Sequence, residues 1–139
     1  MSGDFDRKRL VSEALKAQKM AYVPYSGFKV GAALLTKDDK IYTGCNIENA
    51  AFSPTNCAER TAFFKAVSEG ENEFKAIAVI GGESNARGVY CPPCGVCRQV
   101  MLEFCDPESF IVILANGEED FRELLLKDLI PFSFGKSNL

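Results

Sequence analysis

The stretch "FKVGAALLTKDDKIYTGCNI" (residues 28–47) sets the start of the predicted sheet. Two apolar segments, residues 28–36 and 40–47, flank the polar run "KDD" (37–39). Apolar runs of this length, separated by a few polar residues, are typical of two strands joined by a tight turn. The sequence therefore predicts an antiparallel hairpin over residues 28–47.

Helices and strands are predicted on both sides of this hairpin. Before it, apolar residues recur at helical spacing and predict a helix over about residues 4–20: Leu10, Val11, Ala14 and Leu15. After it, the patterns predict helices over 56–70 and 94–104, strands over 74–82 and 109–116, and a loop over 82–93. The tail, residues 121–139, is predicted to be a helix followed by irregular chain.

The order of these elements indicates an α/β fold. The hairpin supplies an antiparallel pair, whereas the later β-α-β-α-β run favours parallel crossover pairing. We therefore expect three layers, α/β/α, with a mixed sheet of about five strands. Residues 1–139 are about the length of one domain, and 47% of them are hydrophobic, which is enough for a substantial core.

Composition excludes several classes of protein. The net charge is −3, which argues against a protein whose main task is gripping a polyanion, so we expect no nucleic-acid partner. No segment has the apolar length of a signal peptide or a membrane span, so we expect no membrane partner and a cytoplasmic location. In a reducing compartment, the six cysteines are expected to be metal ligands, catalytic thiols or core residues rather than disulfides.

Three of the cysteines occur near predicted helix starts. Cys94 and Cys97 form a C-x-x-C pair after two prolines, and Cys57 lies at the start of the helix over 56–70. C-x-x-C alone is ambiguous between a redox pair and half of a zinc site. Helix N-termini favour thiolates, and three thiolates directed at one point suit a tetrahedral zinc ion.

Two kinds of zinc site remain open from the spacing. A fourth thiol from Cys45, Cys91 or Cys105 would close the coordination and make the zinc structural. Glu59, two residues after Cys57, instead favours an open catalytic site, because a carboxylate there could move protons between a metal-bound water and a substrate. Taken alone, Glu59 would be no more than a favourable acid in the first turn of a helix.

The joint arrangement of "CAE" (57–59) and "PCGVC" (93–97) resembles the signature of the zinc nucleobase deaminases. With cysteine as the first ligand, the chain looks like the small homotetrameric cytidine deaminases. Three further stretches are similar to that family: "YSGFKVGAAL" (25–34), "GCNIENAAFSPTNCAERTA" (44–62) and "ELLLKDLIPFSF" (123–134).

The resemblance assigns a role to individual residues. It implies that one Zn²⁺ per subunit is held by Cys57, Cys94 and Cys97, and that Glu59 is the proton shuttle. It further implies a group of substrate-binding residues: Phe28 packs on the pyrimidine, Asn46 and Glu48 bind the ribose, the backbone at Ala58 reads the pyrimidine carbonyl, and Phe134 reaches the base from a neighbouring subunit.

Arg60 is assigned by the resemblance to hydrogen bonding with the zinc thiolates, and simple electrostatics agrees. Three thiolates around a divalent ion carry one net negative charge, which weakens the acidifying effect of the metal on bound water. A guanidinium that donates to the sulfurs draws charge back. A plain surface cation on the helix is the alternative.

The activity that the resemblance implies is hydrolytic deamination of cytidine and 2′-deoxycytidine, in a homotetramer. Alternatives are deamination of another aminopyrimidine, such as a blasticidin-type nucleoside, or of a base in RNA or DNA. Two alternatives belong to other functional classes: a binding module with a structural Cys₄ zinc, and a thiol redox protein.

Overall fold

A computed structural model of the chain describes residues 4–82 and 90–139. It contains three helices and five strands, in the order α1 (Arg7–Gln18), β1 (Val30–Thr36), β2 (Ile41–Cys45), α2 (Ala58–Ser68), β3 (Phe74–Gly81), α3 (Gly95–Phe104), β4 (Ile111–Gly117) and β5 (Asp120–Leu125). Two single 3₁₀ turns follow, at Leu126–Asp128 and Lys136–Asn138. Most of the loop predicted over 82–93 lies outside the described residues.

The five strands form one mixed sheet in the order β2-β1-β3-β4-β5. β1 pairs antiparallel with both β2 and β3, which confirms the predicted hairpin. β3 and β4 are parallel, as expected for a crossover through α3. Parallel pairing was also expected through α2, between β2 and β3. β2 instead lies at the edge of the sheet, where it pairs with β1.

Helices cover both faces of the sheet. Alternate residues of β1 point to opposite sides, so Ala32 and Leu34 pack with α2 and α3, whereas Ala33 and Leu35 pack with α1. On the α2 and α3 side, Phe63 is fully buried and packs against three other aromatic side chains: Phe74, Phe104 and Phe110. The three-layer α/β/α prediction is confirmed.

The helix predicted at the start of the tail was wrong, whereas the chain after it is irregular apart from the two 3₁₀ turns, as expected. Residues 120–125 form β5, which pairs antiparallel with β4 in the register Val112 with Leu124 and Leu114 with Arg122. The run "FRELLL" has residues of good helix propensity, but propensity is a weak prior. Pairing in the sheet satisfies the backbone groups along the free edge of β4, and a tight turn after Gly117 brings the chain back to make it.

Gly44 allows α2 to begin close to the sheet. A Cβ atom placed on this glycine would lie 2.4 Å from the carbonyl oxygen of Ala58 and 2.6 Å from the nitrogen of Ala62. Any larger residue would push the first turn of α2 away from β2. Cys57 immediately precedes that turn, so its position depends on glycine, which has no side chain, at residue 44.

Candidate active site

The first turns of α2 and α3 bring three thiols together. Cys57 is the N-cap of α2, Cys94 is the N-cap of α3, and Cys97 lies one turn into α3. Both N-cap residues have extended backbone, with φ and ψ of −78° and 156° at Cys57 and of −69° and 169° at Cys94. Neither makes a side-chain capping hydrogen bond, so both thiols are available to a ligand.

The distances between the sulfurs fit a zinc ion. The sulfur of Cys94 lies 3.8 Å from that of Cys57 and 3.5 Å from that of Cys97, and all three lie within 4.8 Å of one another. Tetrahedral ligands about 2.3 Å from zinc are themselves about 3.8 Å apart. The trio therefore matches three corners of a zinc tetrahedron.

The other three cysteines do not join this group. Among the described residues, no further Cys, His, Asp or Glu meets the mutual spacing of the trio. Cys45 ends β2, Cys105 ends α3 and is buried, and Cys91 lies beside the site with its sulfur directed at Gly81. This arrangement favours the open site over the closed Cys₄ site.

Glu59 lies next to the trio in a buried position. It is 4% exposed and lines a cavity of about 220 Å³ together with Cys57 and Cys94. Burial raises the pKa of the Glu59 carboxyl to about 7, and the neighbouring Cys57 acts in the same direction. Since burial favours the neutral form of a carboxyl group, this placement suits a group that exchanges protons near neutral pH.

Arg60 contacts the thiol trio from the side. Its Nη2 donates to the sulfur of Cys57 at 3.3 Å. Hydrogen bonds from the Cys97 thiol and from Arg60 lower the pKa of Cys57 to about 5, while the thiol of Cys97, as donor, has a raised pKa. The guanidinium therefore stabilises thiolate charge, and the alternative of a plain surface cation does not fit its contacts.

Phe28 and Asn46 lie in the same cavity. The Nδ2 of Asn46 donates to the carbonyl of Phe28 at 2.8 Å, and its Oδ1 accepts from the nitrogen of Val30 at 2.9 Å. The amide group thus fixes the segment that presents the Phe28 ring. Ala58, the first residue of α2, also lines the cavity.

Glu48 and Phe134 lie outside this cavity. The Glu48 carboxylate accepts from the backbone nitrogens of Tyr25 and Ser26, at 3.0 and 3.1 Å, and from the Ser26 hydroxyl. It lines a neighbouring cavity that also contains Phe52. Phe134 is exposed near the C-terminus, where its carbonyl accepts from Gln99 at 2.8 Å.

Two residues shape the site in ways that the sequence did not predict. Cys91 lines the cavity, and burial raises the pKa of its thiol to about 11. Arg98 donates from Nε to the carbonyl of Pro93 at 2.8 Å and from Nη1 to that of Leu129 at 2.7 Å, which fixes the turn before Cys94. The position of Arg98 directly after Cys97 was visible in the sequence, but its partner at residue 129 was not.

No helix in residues 4–82 and 90–139 has the length and apolar character needed to cross a bilayer.

Comparison with known proteins supplies the family. Residues 5–113 match the model of the cytidine and deoxycytidylate deaminase zinc-binding region. The chain is 52% identical over 134 residues to the cytidine deaminase of Sporosarcina psychrophila, an alignment that covers 96% of this chain and 95% of that protein. A blasticidin-S deaminase of Bacillus cereus is 30% identical over 112 residues, with 78% of each chain covered.

The fold agrees with this assignment. The crystal structure of a cytidine deaminase from Burkholderia pseudomallei superposes with a TM-score of 0.85 at 46% identity, and the match covers 94% of this chain and all of that one. The zinc-binding family, the sulfur trio and the shared fold together establish zinc as the metal of this site. The chain therefore belongs to the cytidine and deoxycytidylate deaminase family of zinc enzymes.

Proposed function

We propose that this protein catalyses the hydrolytic deamination of cytidine and 2′-deoxycytidine to uridine and 2′-deoxyuridine, with release of ammonia. The observation that carries the proposal is the buried carboxylate of Glu59 beside three sulfurs spaced for zinc, in one cavity. The level of identity to the cytidine deaminase of Sporosarcina psychrophila supports the choice of substrate.

Cys57, Cys94 and Cys97 would hold the ion. When bound there, zinc supplies a Lewis acid that makes water a nucleophile at neutral pH. Arg60 and the two helix N-termini stabilise the thiolate charge, so that the three sulfurs donate less electron density to the ion.

Glu59 is proposed to carry the protons, following the general mechanism of zinc nucleobase deaminases. Its carboxylate accepts a proton from the attacking water and delivers it to N3 of the ring, while the water oxygen bonds to C4. It then transfers the second proton of that oxygen to the amino group. The C4–N bond breaks, ammonia leaves, and C4 becomes a carbonyl.

The remaining site residues are proposed to position the nucleoside. Phe28 packs on the base, the backbone at Ala58 reads the pyrimidine carbonyl, and Asn46 and Glu48 bind the ribose. Phe134 is proposed to reach the base of a neighbouring subunit in a homotetramer. This is consistent with its exposed position away from the cavity of its own chain. Pyrimidine salvage in the cytoplasm is the corresponding biological role.

The test is ultraviolet monitoring of cytidine conversion, with zinc content measured on the same sample. Conversion that scales with one zinc per chain supports the proposal. Zinc-loaded protein that leaves cytidine and deoxycytidine unchanged would contradict it.

A blasticidin-type nucleoside is the second candidate substrate, favoured by the likeness to the Bacillus cereus blasticidin-S deaminase. The lower identity of that match makes it the less favoured reading. Measuring kcat/KM for blasticidin S and cytidine side by side separates the two. A base in RNA or DNA remains disfavoured by the net charge of −3.

A further inference from the structure

Two adjacent glycines lie at the end of β3, beside Phe28 and Cys91, which line the active-site cavity. Gly81 is the last residue of β3, and Gly82 follows with a φ of +70°, a conformation that side-chain-bearing residues rarely adopt. We call Gly81 and Gly82 the glycine seat. None of the roles described above involves it.

The Phe28 ring rests on the glycine seat. A Cβ atom placed on Gly82 would lie 2.9 Å from Cε1 of Phe28, and one placed on Gly81 would lie 3.3 Å from Cε2. Contacts this short leave no room for a methyl group unless the ring moves. The absence of both side chains therefore determines how deep the Phe28 ring sits.

Cys91 packs on the same seat from another direction. A Cβ on Gly81 would lie 2.7 Å from both the Cβ and the sulfur of Cys91. Cys91 and Phe28 both line the cavity that contains Glu59. Gly81 thus lies between two walls of one cavity and contacts both.

Hydrogen bonds hold the glycine seat in place. The Gln18 side chain, 9% exposed, donates from Nε2 to the carbonyls of Lys29 and Gly82, at 3.0 and 2.9 Å. The nitrogen of Gly82 donates to the carbonyl of Lys29 at 2.9 Å. The seat is therefore fixed to α1 and to the start of β1, so a group added to it must displace Phe28 or Cys91 instead.

We propose that the glycine seat and Cys91 are specificity-determining positions that set the width of the substrate cavity and so limit the size of the pyrimidine it accepts. The proposal rests on the proposed function, because it takes this cavity to be the site of the base. The atoms nearest to a Cβ on either glycine belong to Phe28 and Cys91 rather than to the zinc trio, so we expect an effect on substrate fit rather than on metal binding.

The first test is Gly81→Ala. We expect kcat/KM for cytidine to fall about tenfold or more, mainly through a higher KM, with zinc content unchanged, since a methylene in a tight pocket changes selectivity about 10- to 200-fold. Adding Cys91→Gly removes the two atoms that lie nearest to the new methyl group, the Cβ and the sulfur of Cys91, and should restore most of the loss. Adding Cys105→Gly, at the far end of α3, is the matched control and should restore nothing.

The second test does not depend on the stability of Gly81→Ala. Cys91→Ala enlarges the cavity from the other wall, and the ratio of kcat/KM for 5-methylcytidine to that for cytidine should rise about fivefold or more. A purely structural role for Cys91 would lower both values equally and leave the ratio unchanged.

Binding measurements separate this proposal from the proposed function. Calorimetric titration with uridine reports on the cavity without turnover, and crystal structures of the variants report the position of the Phe28 ring. Wild-type protein that binds uridine but does not deaminate cytidine would contradict the function alone. Unchanged uridine affinity in a folded Gly81→Ala protein, or an unchanged substrate ratio in Cys91→Ala, would overturn the role of the seat.

Discussion

The starts of α2 and α3 meet at the sulfur trio and have the same kind of N-cap. Each helix has a cysteine at its N-cap, with extended backbone and no capping side chain of its own. They differ within the first turn. In α2 the chemically active residue follows two positions after the N-cap, at Glu59, whereas in α3 it follows three positions after, at Cys97.

This difference in spacing separates two roles. Cys97 belongs to the sulfur trio, whereas Glu59 lies in the cavity beside the trio and is not one of its members. The α3 start is therefore proposed to contribute two ligands, and the α2 start one ligand and one proton-carrying group. In this pair, the cysteine three positions after the N-cap joins the sulfur trio, whereas the glutamate two positions after the N-cap lies beside it.

Loss of either N-cap thiol should have the largest effect. Cys57→Ala and Cys94→Ala each leave two thiols, too few for a stable site, so we expect bound zinc and activity to be lost in both. Metal analysis by mass spectrometry checks this, with Cys105→Ala as the control that retains zinc. Full zinc occupancy in either N-cap variant would show that the two helix starts are not equivalent.

Glu59→Gln should separate the loss of proton transfer from the loss of zinc. The amide keeps the size of the side chain but cannot carry protons, so we expect activity to fall about 10²- to 10⁴-fold with zinc content unchanged. Single-turnover kinetics on samples of known zinc content measure the loss. Activity near that of the wild type would remove Glu59 from the reaction.

Arg60 lies in the first turn of α2 and donates to the sulfur of Cys57. Its removal tests whether the start of α2 depends on this positive charge. Arg60→Ala should lower zinc affinity or activity about 10- to 100-fold, because the Cys57 thiolate loses its charged donor. Arg60→Lys should recover part of the loss, since it keeps the charge but not the planar geometry. Competition with a chelator and steady-state kinetics would both remain unchanged if Arg60 were an ordinary surface cation.

The smallest effects concern the hydrogen bonds that hold each helix start. Arg98→Ala removes two bonds from a charged donor on the α3 side and should cost about 1.5–3 kcal/mol in the free energy of unfolding. Thr61→Val removes two bonds between uncharged groups on the α2 side, one to the carbonyl of Cys57 and one from Nδ2 of Asn56, and should cost about 1–2 kcal/mol. Denaturant unfolding compares the two, and an equal or reversed order would contradict the view that α3 has the stronger support.

The sequence predicted the elements whose signals are local. The hairpin, the helices α1 to α3 and the pairing of Cys94 with Cys97 each follow from spacing within a short window, and all are found. β5 was missed because "FRELLL" favours a helix by propensity, while its actual state depends on a free edge of β4 that only the assembled sheet provides.

The supports of the site were missed for a similar reason. Arg98 binds the carbonyl of Leu129, and Gln18 binds that of Gly82, in both cases across a long stretch of chain. Such contacts leave no periodic pattern near either partner. The ligand-binding roles of Asn46, Glu48 and Phe134 stay predictions, because they depend on a bound nucleoside and a neighbouring subunit.

The sulfur trio also links distant parts of the chain, because Cys57 and Cys94 are 37 residues apart. An ion that binds this trio only in the folded protein shifts the unfolding equilibrium by mass action. Each tenfold rise in free zinc above the dissociation constant then adds about 1.4 kcal/mol to the free energy of unfolding. The melting temperature of this protein should therefore follow the metal buffering of its solution, and a chelator should lower it without any change in the chain.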